Sequence, residues 1–236
     1  MDDELSKLPT KTSDDDVSEF LKKVAAATSP QSGRGRLLFA MDATASREPA
    51  WDQACMIQGE MFKSTTALGG IEIQLVYYRG FRECRASKWV TNAGELLKMM
   101  TGVMCRGGAT QIEKVFNHTI KQTKQRKVNA IVFVGDAMEE NIDILCHKAG
   151  ELKLLGVPVF IFHEGGDTIA RRAFEQISQL SGGAYCPFDA SSAEQLRDLL
   201  SAVAVFAAGG RKALLEYGNK QGGAILRLTH QLNENT

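Results

Sequence analysis

Surplus charge of either sign is missing from this chain, whose 236 residues carry 28 Lys plus Arg against 28 Asp plus Glu. A dedicated binder of nucleic acid or of an anionic membrane neutralises phosphates with a clustered basic excess, so the balance argues against both classes. Long apolar runs are missing too. No stretch approaches the roughly 18 to 20 residues that cross a bilayer, and Met1-Asp2-Asp3-Glu4 lacks the basic-then-apolar order of a secretory signal. A soluble, cytoplasmic protein is expected. The five cysteines (Cys55, Cys84, Cys105, Cys146, Cys186) are scattered and contain no Cys-x-x-Cys pair, which excludes a disulfide framework or zinc knuckle. His118, His147, His163 and His230 lack metal-ligand spacing. Neither a Gly-x-x-x-x-Gly-Lys phosphate loop nor a Gly-x-Ser-x-Gly elbow occurs, and Gly33-Arg34-Gly35 precedes its strand, the wrong side for a dinucleotide fingerprint.

What is present is an ordinary globular composition, 44% hydrophobic and 24% charged, enough to bury a core. Ser13 before Asp14-Asp15-Asp16 reads as a capped helix start, with Val17, Phe20, Leu21 and Val24 at helical spacing. The three carboxylates suit the positive end of a helix dipole better than a metal. Residues 30–36 read as a linker. From Leu37 onward short apolar runs alternate with amphipathic stretches, the signature of an α/β fold. Residues 37–41, 130–134 and 157–162 are continuous enough to be buried parallel strands, with 71–78 and 184–188 as further strands. Residues 81–90 suit an exposed antiparallel edge, hairpinned to the strand before it. Helices are expected over 49–66, 93–100, 111–125, 139–155, 168–180 and 193–207. In the last, Leu196, Leu199, Leu200, Val203 and Phe206 form a stripe that a sheet would cover. After Gly209-Gly210 a short helix and an alternating strand over 222–231 are expected. The chain thus divides into an N-terminal tail, helix and linker (1–34), an α/β domain (35–208) and a C-terminal extension (209–236).

The informative position is the end of the first buried strand, Asp42-Ala43-Thr44-Ala45-Ser46, where three oxygen-bearing side chains alternate before a helix. Alternate positions of an extended loop can face one side and converge on a small hard cation. In parallel α/β sheets ligands gather beyond the carboxyl ends of strands. A second such end offers Asp136, and the loop Gly107-Gly108-Ala109-Thr110 brings one more hydroxyl. Taken alone, Thr110 reads as a simple helix cap.

Together these residues resemble the von Willebrand factor type A (VWA) domain and its metal-ion-dependent adhesion site, over roughly residues 35–206. The resemblance implies a three-layer, doubly wound, mostly parallel Rossmann-like sheet with helices on both faces and one antiparallel edge strand. It implies Asp42, Thr44, Ser46, Thr110 and Asp136 as the metal site. Thr44 stands where the family has its first Ser, keeping the hydroxyl, and Gly135-Asp136-Ala137 stands where it often has Thr-Asp-Gly. Carboxylate, hydroxyl and water oxygens suit Mg²⁺ or Mn²⁺, whereas Zn²⁺ or Cu²⁺ ask for imidazole or thiolate. The family's open coordination position takes an Asp or Glu from a protein partner, and intracellular relatives serve in complexes with ATPases or chaperones. The resemblance therefore implies a non-catalytic, metal-dependent protein-binding module that binds neither nucleic acid nor membrane.

An enzyme is the alternative. A strand ending in Asp42-x-Thr44 and a later Gly135-Asp136-x-x-x-Glu140 is also similar to haloacid-dehalogenase-like phosphatases, with Asp42 as nucleophile, Mg²⁺ between strand ends and Lys127 or Lys148 as the basic residue. That reading leaves Ser46 and the Gly107–Thr110 loop without a role. His163-Glu164-Gly165-Gly166, at a strand end, could rim the site, and a plain loop is the preferred reading. The basic cluster Lys121, Lys124, Arg126, Lys127 falls at a helix C-terminus, where the dipole favours cations.

Overall fold

The computed structural model describes residues 13–27, 34–188 and 193–221. The strand expected over 222–231 lies outside them. Six strands form one sheet in the order β3-β2-β1-β4-β5-β6: β1 (Gly35–Asp42), β2 (Ile71–Arg79), β3 (Glu83–Ala86), β4 (Ala130–Gly135), β5 (Val159–Glu164) and β6 (Ala184–Phe188). All neighbours run parallel except β2 and β3, the antiparallel hairpin at one edge. β1 and β4 are buried at every position and β3 is not, as their continuous and mixed compositions require.

Side-chain alternation splits the sheet into two apolar faces. Leu37, Phe39 and Met41 of β1 face one cluster, together with helices α1 (Asp14–Ala26), α2 (Glu48–Ile57), α3 (Gly59–Thr65), α4 (Ala93–Thr101) and α8 (Ala193–Gln221). Leu38 and Ala40 face the other, with α5 (Ile112–Gln125), α6 (Ile142–Leu154) and α7 (Thr168–Ser181). This is the three-layer doubly wound arrangement expected. Among the described residues no helix is long and apolar enough to cross a membrane.

The capped helix expected from Ser13 forms, with Ser13 and Asp16 in a reciprocal box, and it packs on the sheet: Phe20 meets Phe160 and Phe162 at ring separations of 5.9 and 5.1 Å. Other local expectations are corrected. Gly35 and Arg36, read as linker, belong to β1. Arg36 is tolerated there because its Nη1 donates to the Arg126 carbonyl at 2.6 Å and its guanidinium lies 3.7 Å over the Trp89 ring. The helix expected over 49–66 is two, interrupted at Gln58 beside the weak helix former Gly59. The break expected at Gly209-Gly210 is present: the chain turns at Gly210, whose φ of 70° only glycine adopts readily, and Leu214 in the helical stretch beyond it rejoins the core.

Sheet order also places the site. The chain leaves β1 toward β2 on one side, then returns through α4 and α5 to β4 on the other side of β1. The loops after β1 and β4 diverge at this switch point, leaving a crevice between them.

Candidate functional site

Asp42 is the last residue of β1 and only 1% exposed. Its Oδ1 accepts the Thr44 N–H at 2.7 Å and its Oδ2 accepts the Tyr78 hydroxyl at 3.1 Å. The first bond turns the chain sharply after the strand, as Asp side chains do. A short 3₁₀ turn, Ala45–Arg47, follows. On it Ser46 donates its hydroxyl to Asp136 Oδ2 at 2.8 Å, and the Thr44 and Ser46 hydroxyl oxygens lie 3.3 Å apart. The tips of β1 and β4 are thereby joined.

Thr110 arrives on the loop before α5. It does not cap that helix. Gln111 is the N-cap and gives no side-chain cap, while the Glu140 carboxylate accepts the N–H groups of Ile112 at 2.6 Å and Glu113 at 2.9 Å. An anion at a helix N-terminus is favoured there, and it comes from the β4–α6 loop rather than from local sequence. Glu139 beside it bonds Thr110. All five expected residues line one cleft of about 210 Å³, together with Glu139.

Burial pushes the Asp42 carboxyl up from its ordinary range; the Thr44 hydrogen bonds and Arg47 partly offset this, while the Asp136 charge adds to it. Among the described residues no three His, Cys, Asp or Glu side chains gather as a metal cluster. A cation here would therefore rest on two carboxylates, three hydroxyls and water, the oxygen chemistry of Mg²⁺ or Mn²⁺.

Neither basic residue of the phosphatase reading lines the cleft. Lys127 donates to the Gly156 carbonyl at 2.7 Å, before β5 begins and so at the opposite end of the sheet, and Lys148 pairs with Glu151 on α6. Two neighbours were missed from sequence. His163, read as loop, is a buried residue of β5 whose Nδ1 meets the Tyr185 hydroxyl at 2.9 Å and whose Nε2 meets the Asp136 carbonyl at 3.3 Å. Arg47, next to Ser46, is buried and ion-paired with Glu164.

No protein-family model matches the sequence, and no curated protein matches it. Solved structures do. A von Willebrand factor type A protein from Catenulispora acidiphila is 10% identical, with a TM-score of 0.59 over 75% of this chain and 44% of that one. The SpRpn10 VWA domain is 14% identical, with a TM-score of 0.55 over 75% of this chain and 98% of that one. Proximal thread matrix protein 1 from the mussel byssus, with a zinc-occupied adhesion-site motif, is 16% identical, with a TM-score of 0.58 over 75% of this chain and 49% of that one. This chain has the von Willebrand factor type A fold; identities so low carry the fold alone.

Proposed function

We propose that the chain is a divalent-cation-dependent protein-binding module without catalysis. Mg²⁺ or Mn²⁺ would be held by Asp42, Thr44, Ser46, Thr110 and Asp136, and an Asp or Glu of the partner would complete the coordination. The observation that carries this reading is the Ser46–Asp136 hydrogen bond, which closes the β1 and β4 loops around Asp42 in one cleft at the switch point. Asp42 is fixed by Thr44 and Tyr78, so little ordering remains when a cation arrives. Glu139 draws Thr110 toward the same cleft. A cation held there would supply an electrophilic centre, and a partner carboxylate entering the partly dehydrated cleft would be attracted to it more strongly than in bulk water.

In this reading the module works in the cytoplasm, within a complex built around an ATPase or chaperone. The fold supports an interaction module, since the similar structures include a pilus adhesin and the SpRpn10 VWA domain. Zinc in the mussel protein's motif makes Zn²⁺ a necessary competitor in any ion series. The experiment is affinity purification from the native host with Mg²⁺ and with EDTA, wild type against Asp136→Ala, read by mass spectrometry. A partner retained by wild type in Mg²⁺ and lost in both other arms supports the reading. Equal recovery in EDTA overturns it, and release of phosphate from an aryl phosphate would restore the phosphatase alternative.

A further inference from the structure

Arg47 follows Ser46 on the same 3₁₀ turn but points the other way. Ser46 is exposed at the cleft, whereas Arg47 is 2% exposed, with its N–H closing the turn on the Thr44 carbonyl at 3.0 Å. Its Nη1 donates to Glu164 at the end of β5, so the pair reaches from the β1 loop past the tip of β4. Nε and Nη2 of this guanidinium have no hydrogen-bond partner among the described residues. A buried guanidinium with idle donors is a costly anchor. An apolar side chain would have held the turn at less cost, so the charge itself calls for a role. Burial lowers the pKa of this guanidinium, and the carboxylates of Asp136 and Asp42 partly offset that by favouring its charged form.

We infer that Arg47 is a positioning residue and a fixed positive charge beneath the metal site: paired with Glu164, it holds the hydroxyl loop in place and sets the site's affinity for a cation by repulsion. This rests on reading the cleft as a cation site. In a poorly solvated crevice a neighbouring positive charge opposes an incoming divalent ion, while Glu164 screens that opposition. Arg suits the position better than Lys because its planar fork engages a carboxylate while remaining charged under burial.

The test is the affinity for Mn²⁺ alone, by calorimetry, for wild type, Arg47→Met, Glu164→Gln and the double variant, with thermal unfolding in EDTA reporting the fold. Arg47→Met should tighten Mn²⁺ binding by about tenfold, Glu164→Gln should loosen it by about as much, and the double variant should return near wild type. A purely structural anchor would make both single variants weaker. Single variants that shift affinity in the same direction, or not at all, overturn the inference while leaving the cation site standing. Absence of Mn²⁺ binding by wild type overturns the site and the inference together. Where Arg47→Met alone does not fold, Glu164→Gln is compared with the double variant: tighter binding by the double variant supports the inference, and equal binding overturns it.

Discussion

Thr110 and Glu139 hold each other through a reciprocal pair of hydrogen bonds, the Thr110 N–H donating to Glu139 Oε2 at 3.1 Å and the Glu139 N–H to Thr110 Oγ1 at 3.0 Å. The position of the Thr110 hydroxyl is therefore set from the β4–α6 loop. Glu139→Ala should leave the largely buried Thr110 amide without its acceptor and cost about 1 kcal/mol in urea unfolding in EDTA. It should also weaken Mn²⁺ binding, because the hydroxyl loses the loop that aims it. Glu139→Gln keeps an acceptor and should fall between Ala and wild type. Identical stability and affinity in the Ala variant would show that the tie does not position Thr110.

A cation that binds only the folded state should stabilise it. At about 100 times its dissociation constant the gain is roughly 2.7 kcal/mol. Asp42→Asn keeps an oxygen to accept the Thr44 N–H and turns an amide N–H toward the Tyr78 hydroxyl oxygen, but it removes one of the three carboxylates lining the cleft, so its melting temperature should no longer respond to Mg²⁺. Equal responses in wild type and variant would rule out Asp42 as a ligand.

The fold was legible because its period signals are strong. The continuous apolar runs of β1, β4 and β5 and the hairpin at 71–86 appear where their composition requires, and the oxygen-bearing residues at the ends of β1 and β4 meet as strand order dictates. What sequence did not show depends on contacts between distant segments. Glu140 caps α5 from 28 residues away, a pairing no local capping pattern contains. Arg47 carries no local mark of burial in the sequence; its partner Glu164 lies 117 residues later. The core role of α1 was hidden for the same reason, since its apolar stripe is ordinary and its Phe20 contacts on β5 are remote.

Gly108 sits where backbone meets backbone. A Cβ there would lie 2.1 Å from the Gly80 carbonyl oxygen, in the same contact where Ala109 N–H donates to that oxygen at 3.2 Å. Gly108→Ala should push the Thr110 loop off the β2–β3 turn, costing about 1–3 kcal/mol as overpacking does, and should weaken Mn²⁺ binding. Gly107→Ala is the control, because a Cβ there meets nothing within 4 Å. Equal unfolding midpoints for the two variants would contradict the close approach.

The last prediction concerns pH and lies away from the cleft. His118 on α5 reaches Gln74 Oε1 from its Nε2 at 2.9 Å, and Gln74 in turn donates to the Ser87 carbonyl at 2.7 Å. Burial, and then the Lys121 charge, lower the His118 pKa in the fold. The unfolded chain therefore takes up the proton first, near the ordinary value of about 6.5. Stability from this residue is fully present above that value and is lost as pH falls through the lower folded value. His118→Gln cannot titrate, so between about pH 7.5 and about pH 5.5 its urea midpoint should fall less than that of wild type. His163, whose pKa burial also lowers, remains in both proteins and cancels in the difference. Parallel pH profiles would mean that His118 takes up its proton equally readily in the folded and unfolded states, and the burial argument for this network would then fail.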